Sequence, residues 1–361
     1  MNTADELRRL SAALRKLPHD RPGAALVTLV RTQGAAFRRI GTRMLVHADG
    51  HATCELAGGC PQRDLVLQAC EAIACGGPRL VRYGEEGGLD LLMEMGCGGE
   101  LEVHIEPLAH ARARLHADIL DACLQRRQAG WLVTVFARDG EAVPARHWLR
   151  FDGDEVRDDL DVPGLSDAVG QAVHGRPDRP ACTQVDTASG RHDLLIEPVQ
   201  PPHALVVIGS GAVARALLPL ADALGWSITV VDHDGDRLAA MPMVPGCRRV
   251  HAAPEALASH VPLDRWTSVV VMTHHLAKDI DYLAALRDRP LAYVGLLGAR
   301  GRVAKVIAGA AAQAMAVHAP VGLDLGADGP AEIALAIVAE ILAVVRQRAG
   351  GPLGAVAGSG S

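Results

Sequence analysis

The chain has 361 residues, a net charge of −6 at neutral pH and a hydrophobic fraction of 49%. That length leaves room for two or three domains, and the acidic balance excludes the broad basic face of a nucleic-acid binder. Aromatic residues make up only 3%, so Leu, Val and Ala must fill the interior. The first segment, "MNTADELRRLSAALRKL", mixes acids and arginines and lacks the apolar core of a signal peptide. No apolar run is long enough for a membrane span. The 8 cysteines are scattered and form no CxxC pair, which predicts a reduced, cytoplasmic protein rather than a disulfide framework.

Taken in chain order, residues 5–17 have the period of an amphipathic helix. "AALVTLVRTQG" at 24–34 and "TRMLVHADGH" at 42–51 read as strands that end in turns. Gly58-Gly59-Cys60 follows, and a helix is predicted from about Asp64 to Ala74. "LEVHIEPL" at 101–108 is a strand, and 109–128 a helix. The pattern then recurs. "LVTLVRTQG" at 26–34 lines up with "LVTVFARDG" at 132–140, and "VHIEPL" at 103–108 with "LLIEPV" at 194–199. Residues 24–108 and 130–199 thus read as two copies of one α+β unit. The second copy has no counterpart of Gly58-Gly59-Cys60 or of "MGCGGE" at 95–100.

The Pro-rich joint "VQPPHA" at 199–204 separates an N-terminal domain, 1–200, from a C-terminal domain, 205–348, with a flexible tail at 349–361. After the joint, "ALVVIG", "SITVVD", "SVVVMT" and "LAYVGLLG" are continuous apolar runs, the mark of parallel strands covered on both faces. The predicted fold class is therefore α/β: an α+β domain, then a Rossmann-like parallel sheet. "VVIGSGAVARAL" sets Gly209, Gly211 and Ala214 in G-x-G-x-x-A spacing between a strand and a helix, a turn that can seat a phosphate on the helix N-terminus. Asp232 ends the next strand, where a carboxylate can bind ribose hydroxyls. Three further loops fall beyond the carboxyl ends of the strands. They offer Thr273, His274, His275 and Asp279; Gly298 and Arg300; and Asp324 among glycines.

Cys60 follows the pair Gly58-Gly59 and Cys97 lies between glycines, which strip steric cover from a thiol and expose amides that favour a thiolate. The other cysteines read as small buried hydrophobes. Arg38 and Arg43, upstream of Cys60, could bind an anionic group. On the residues alone, two other readings stand beside a cofactor-binding role. One is an NAD(P)-dependent oxidoreductase built on Gly209, Gly211 and Asp232, and the other is a protein–protein adaptor without a ligand.

The set "GAAFRRIGTRMLV", "AGGC", "GCGG", "IEP", "VVIGSGAVA", "VVVMTHH", "YVGLLGAR" and "APVGLDLGADGPAEIALAIVAEI" resembles the XdhC/CoxI family, the xanthine dehydrogenase accessory proteins, over about residues 20–345. The resemblance implies a maturation factor rather than a turnover enzyme. Such a factor binds the molybdenum cofactor, in its molybdopterin or a dinucleotide form, while a cysteine desulfurase sulfurates it. It then delivers the cofactor to the large subunit of an apo molybdenum hydroxylase. The resemblance also implies a homodimer, and it makes Cys60 the molybdenum ligand. Gly58, Gly59, Cys97, Arg38, Arg43, Gly209, Gly211, Ala214, Asp232, Thr273, His274, Gly298, Arg300 and Asp324 are then cofactor-binding candidates, with NAD(P) or another nucleotide a further ligand for the glycine turn. The chain departs from the family pattern in three places. Gly34-Ala35-Ala36-Phe37-Arg38 replaces Gly-Ser-x-Pro-Arg. Ala57 and Pro61-Gln62 flank the Gly-Gly-Cys in place of Ser and Leu-Glu. Gly329 stands where a Thr usually precedes Pro330.

Overall fold

The structure, a computed structural model, describes all residues except 1, 19–22, 35–37, 57–58, 85–99, 176–178, 243, 245, 353 and 355–361, and it excludes the side chains of Gly59 and Cys60. The chain divides into two compact units, Met1–Pro201 and Pro202–Ser361.

Among its described residues, the first unit contains two antiparallel sheets. One is built from β1 (Ala24–Gln33), β2 (Arg43–His47), β3 (Ala52–Thr53), β4 (Arg79–Tyr83) and β5 (Glu100–Leu108). The other is built from β6 (Gly130–Arg138), β7 (Glu141–Phe151), β8 (Arg157–Asp158), β9 (Ala181–Thr187) and β10 (Gly190–Val199). The strand orders are β3-β2-β1-β5-β4 and β8-β7-β6-β10-β9, so each sheet has the same order within its own half. The registers match as well: Leu26 faces Glu106 and Leu132 faces Glu197. Both ladders also shift at corresponding places, skipping Val30 in β1 and Phe136 in β6. A skipped residue is a β-bulge, which bends the strand. The strands β4 and β9 carry no clear sequence signal, being short and rich in polar residues.

Among the described residues, four helices accompany these sheets: α1 (Ala4–Arg15), α2 (Gly59–Cys75), α3 (His110–Gln125) and α4 (Leu165–Val173). Thr3 and Glu6 form a capping box that starts α1, satisfying amides that would otherwise lack partners. Alternation along the strands divides the core. Ala25, Val27 and Leu29 pack under α2 with Leu65, Ala69 and Ala72. Val133, Val135, Leu194 and Ile196 pack under α4 with Leu165 and Val169. The opposite faces turn toward each other. At one end Val30, Phe136, Ala137 and Leu195 meet directly. At the other, α3 supplies Ala113, Ala117 and Leu120 to the first sheet and Cys123 to the second.

The second unit has a five-stranded parallel sheet of order β13-β12-β11-β14-β15. Its strands are β11 (Ala204–Ile208), β12 (Ser227–Asp232), β13 (Cys247–His251), β14 (Thr267–Val271) and β15 (Tyr293–Leu296). Its helices are α5 (Ala212–Ala223), α6 (Gly235–Ala239), α7 (Leu257–His260), α8 (Leu276–Ala285), α9 (Arg300–Gly309) and α10 (Pro330–Val345). Leu205 and Val207 pack on one face with α5 and α10, and Val206 and Ile208 on the other with α8 and α9. This two-sided burial explains the unbroken apolar runs. The chain is thus mixed α/β with a Rossmann-type sheet, as its sequence predicts. Among the described residues no helix is long and apolar enough to cross a membrane.

Candidate functional site

In the second unit, the strand order reverses at β11, which is flanked by β12 on one side and β14 on the other. Ligands of such sheets bind in the crevice at this reversal, beyond the carboxyl ends of the strands. The turn Gly209-Ser210-Gly211 joins β11 to α5 there. Gly209 has φ +116°, and a Cβ on it would lie 2.5 Å from the Met272 carbonyl oxygen, so glycine is required. Gly211 lies beneath the His274 ring, with 3.2 Å from a hypothetical Cβ to Nε2. Ala214 is buried where α5 packs on the sheet.

Three carboxylates hold the crevice loops from inside. Asp232 is 0% exposed. Its Oδ2 accepts from the Ser210 amide at 3.0 Å and the Ser210 hydroxyl at 2.7 Å, and its Oδ1 accepts from the Asp234 amide at 3.0 Å. Asp279 is equally buried. It accepts from the Thr273 amide at 3.1 Å and the Thr273 hydroxyl at 2.6 Å, and its other oxygen pairs with Arg302. Glu340 accepts from the Gly322 amide at 2.7 Å, from the Tyr293 hydroxyl, and shares a 2.9 Å hydrogen bond with His318 Nδ1. Burial alone would raise the Glu340 carboxyl, but Tyr293, Gly322 and His318 hold it below its ordinary range. Neither Ser210 nor Glu340 stands out in the sequence as a site residue. Glu340 does leave a signal: it is the single charge within the apolar stretch 333–345.

The groups left at the surface of the crevice are His274, Arg300 and Asp324, which are exposed, and Gly298, which is partly so. His274 adopts φ +62°, an uncommon conformation for a residue with a Cβ. Arg300 opens α9. Thr273 belongs to the inward set and is 1% exposed.

In the first unit, α2 begins at Gly59 and not near Asp64, so Cys60 lies in the first turn of a 17-residue helix rather than in a free loop. Pro61 explains the earlier start, because its fixed φ suits the first turn and its missing N–H costs nothing there. Amides of a first turn lack intrahelical partners, and the helix dipole is positive at this end. Gly58 and Cys97 lie outside the described residues. Gln62 ties the turn down, accepting from the Leu56 amide at 3.2 Å.

The two arginines have different places. Arg38 pairs with Glu6 and donates to the Glu55 carbonyl, on the segment that runs into α2. Arg43 is buried and turned inward: Nη1 donates to Glu197 Oε1 at 2.9 Å and Nη2 pairs with Oε2. The structure therefore does not bring Arg43 to the surface beside the Cys60 turn. Its neighbourhood is a polar layer between the two sheets that the sequence does not disclose. There Glu106 pairs with Arg112 and with His116 at 2.9 Å, and the His116 ring meets the His147 ring edge-on with centroids 4.7 Å apart. Arg31 bridges Glu102 and Asp193, which occupy matching positions of the two ladders. Among the described residues, no group of three or more His, Cys, Asp or Glu side chains could hold a metal ion.

Fold and crevice thus define a two-unit protein whose C-terminal part is a Rossmann-type domain. Residues 205–341 match the family profile described as the XdhC Rossmann domain, and residues 19–84 match that of the XdhC and CoxI family. The chain belongs to the XdhC/CoxI family. It is 28% identical to a Bacillus subtilis protein named as a probable xanthine dehydrogenase subunit, over 90% of this chain and 94% of that protein. It is 25% identical to the Escherichia coli molybdenum cofactor insertion chaperone PaoD, over 89% of this chain and 83% of that one. A crystal structure from Bacillus halodurans, described as a xanthine dehydrogenase, shares the fold with a TM-score of 0.75 at 22% identity, covering 95% of this chain and 96% of that chain.

Proposed function

We propose that the protein is a molybdenum-cofactor-binding chaperone that supports sulfuration of the cofactor and its insertion into a xanthine dehydrogenase-type molybdenum hydroxylase. The supporting structural observation is the position of Cys60 in the first turn of α2. A thiolate is a soft ligand suited to a thiophilic molybdenum centre, and a helix N-terminus lowers the cost of forming it. The residues present fit the group on that ground. Arg38, held at Glu55, steers the chain that leads into the turn. Gly58 and Gly59 are proposed to let the backbone approach the ligand, and Cys97 to contribute a second thiol. The names of the relatives from B. subtilis and E. coli point the same way.

The crevice of the second unit is proposed to take a phosphate-bearing group, of the cofactor or of a nucleotide. Gly209 and Gly211 would form its floor, with His274, Gly298 and Arg300 supplying contacts. Partners in the proposal are the large subunit of an apo molybdenum hydroxylase, a cysteine desulfurase and a second copy of the chain. The place of action is proposed to be the cytoplasm. Six described cysteines are free, a state that a reducing compartment maintains. The domain limits 1–200 and 205–348 belong to the same proposal, and so does duplication as the origin of the matched sheets. The test is loss of cofactor retention on replacing Cys60 by Ala.

A further inference from the structure

We infer that the crevice of the second unit reads phosphate without reading ribose hydroxyls. This rests on the proposal that the crevice takes a phosphate-bearing group. A sheet of this type recognises a nucleoside through a carboxylate at the end of the strand next to the glycine turn. Asp232 stands at that position, ending β12. Its exposure is 0% and both oxygens are already engaged, Oδ2 by the Ser210 amide and hydroxyl and Oδ1 by the Asp234 amide. A ribose diol has no exposed surface of this carboxylate to reach, and opening the turn to uncover it would break the Ser210 bonds and leave donors unpaired, at a cost no smaller than the gain. Asp232 is a positioning residue: it fixes the turn.

The same design recurs in the other two loops. Asp279 is spent on Thr273 and Arg302, and Glu340 on Gly322, Tyr293 and His318. Asp324 is an exposed acid of the crevice loops. Asp234, two residues beyond Asp232, caps α6, its Oδ1 accepting from the Asp236 and Arg237 amides at 3.0 Å each. At the glycine turn itself, the first amides of α5 and the outward-facing His274 and Arg300 suit an anion. A nicotinamide dinucleotide gains nothing here over a simple phosphate ester, so the crevice is not built as a site for hydride chemistry.

Calorimetric titration of the full chain with ATP and with 2′,3′-dideoxy-ATP, each followed by competition with inorganic pyrophosphate, tests this. The two nucleotides should bind within about threefold of each other, since the removed hydroxyls have no partner to lose, and pyrophosphate should displace both. Dideoxy-ATP binding more weakly than that overturns the inference and leaves the phosphate proposal standing. Binding that pyrophosphate does not displace, or no binding by any of the three, overturns the phosphate proposal and the inference with it. Ser210→Ala supplies the positioning readout: it should weaken both nucleotides by the same factor and leave their ratio unchanged. A changed ratio would show that the Asp232 end of the turn reads the sugar.

Discussion

Arg43 and Glu197 stand 154 positions apart in the chain and meet as a doubly hydrogen-bonded pair between the two sheets of the first unit. Their side chains are 7% and 3% exposed. Glu197 belongs to the second "IEP" and Glu106 to the first, and the two face corresponding leucines in matched registers. Each half thus carries a buried glutamate in the same place. Glu106 finds its partners, Arg112 and His116, on α3, whereas Glu197 takes its partner from the other half.

Replacing Arg43 by Met should leave Glu197 charged, buried and unpaired, at a cost of about 3–5 kcal/mol. The double replacement Arg43→Met with Glu197→Met should recover most of that loss. Denaturant midpoints of the two variants measure it. Equal destabilisation by both would show that the pair matters only as packing. Gly41→Ala should also be severe, because Gly41 has φ +84° and a Cβ there would lie 2.3 Å from Glu197 Oε1.

Stability should fall as pH drops below about 6.5, the ordinary histidine value. Burial is the main reason that His104 is held below this value and His147 well below it, with His116 and Arg112 adding repulsion. The folded protein then binds fewer protons than the unfolded chain, so the stabilisation is complete above the unfolded value and is lost as pH falls. Glu106 contributes in a lower window. Burial would raise its carboxyl, but His116, Arg112 and His104 hold it at about 2, so its share persists until pH falls below the ordinary 4.5 toward that value. Thermal midpoints measured from about pH 7.5 to about pH 5.5 should decline, and His147→Asn should flatten the slope. A midpoint that stays constant across that range contradicts the assignment.

Much of this architecture is legible in the sequence, for reasons particular to certain residues. Parallel strands buried on both faces are predominantly apolar, so the Val- and Ile-rich runs at 204–208, 227–231 and 267–271 announce themselves. Glycine at 209 is demanded by its close approach to Met272, and its spacing to Gly211 is visible at once. Directions are another matter. Arg38 and Arg43 look alike in a basic stretch, yet Arg43 is turned inward by Glu197, a partner no local pattern can reveal. Asp232 has the right spacing for a ribose acid, but Ser210 makes it an internal anchor. The helix α2 starts earlier than its sequence suggests because glycines read as a loop, while Pro61 makes a first turn.

The thiols should separate by reactivity. Burial is the main cause pushing Cys54 up to about 11, with Glu6 adding to it, and Cys123 up to about 12, with Glu197 adding to it. Neither should react with iodoacetamide in the native protein at neutral pH, since the thiolate is the nucleophile. Cys60, at a helix N-terminus, should be modified faster than Cys75, which is exposed at the other end of α2. Mass spectrometry of briefly labelled native protein reads the order. Modification of Cys75 ahead of Cys60 would contradict a thiolate-favouring turn.

Metal and pterin analysis of the Cys60→Ala variant, produced beside an active molybdenum-cofactor pathway, tests the proposed function most directly. The parent protein should purify with molybdenum and pterin. The variant should lose both while keeping the parent's unfolding midpoint, because the replacement falls on the first turn of α2. Undiminished molybdenum and pterin in a folded Cys60→Ala protein would contradict the account.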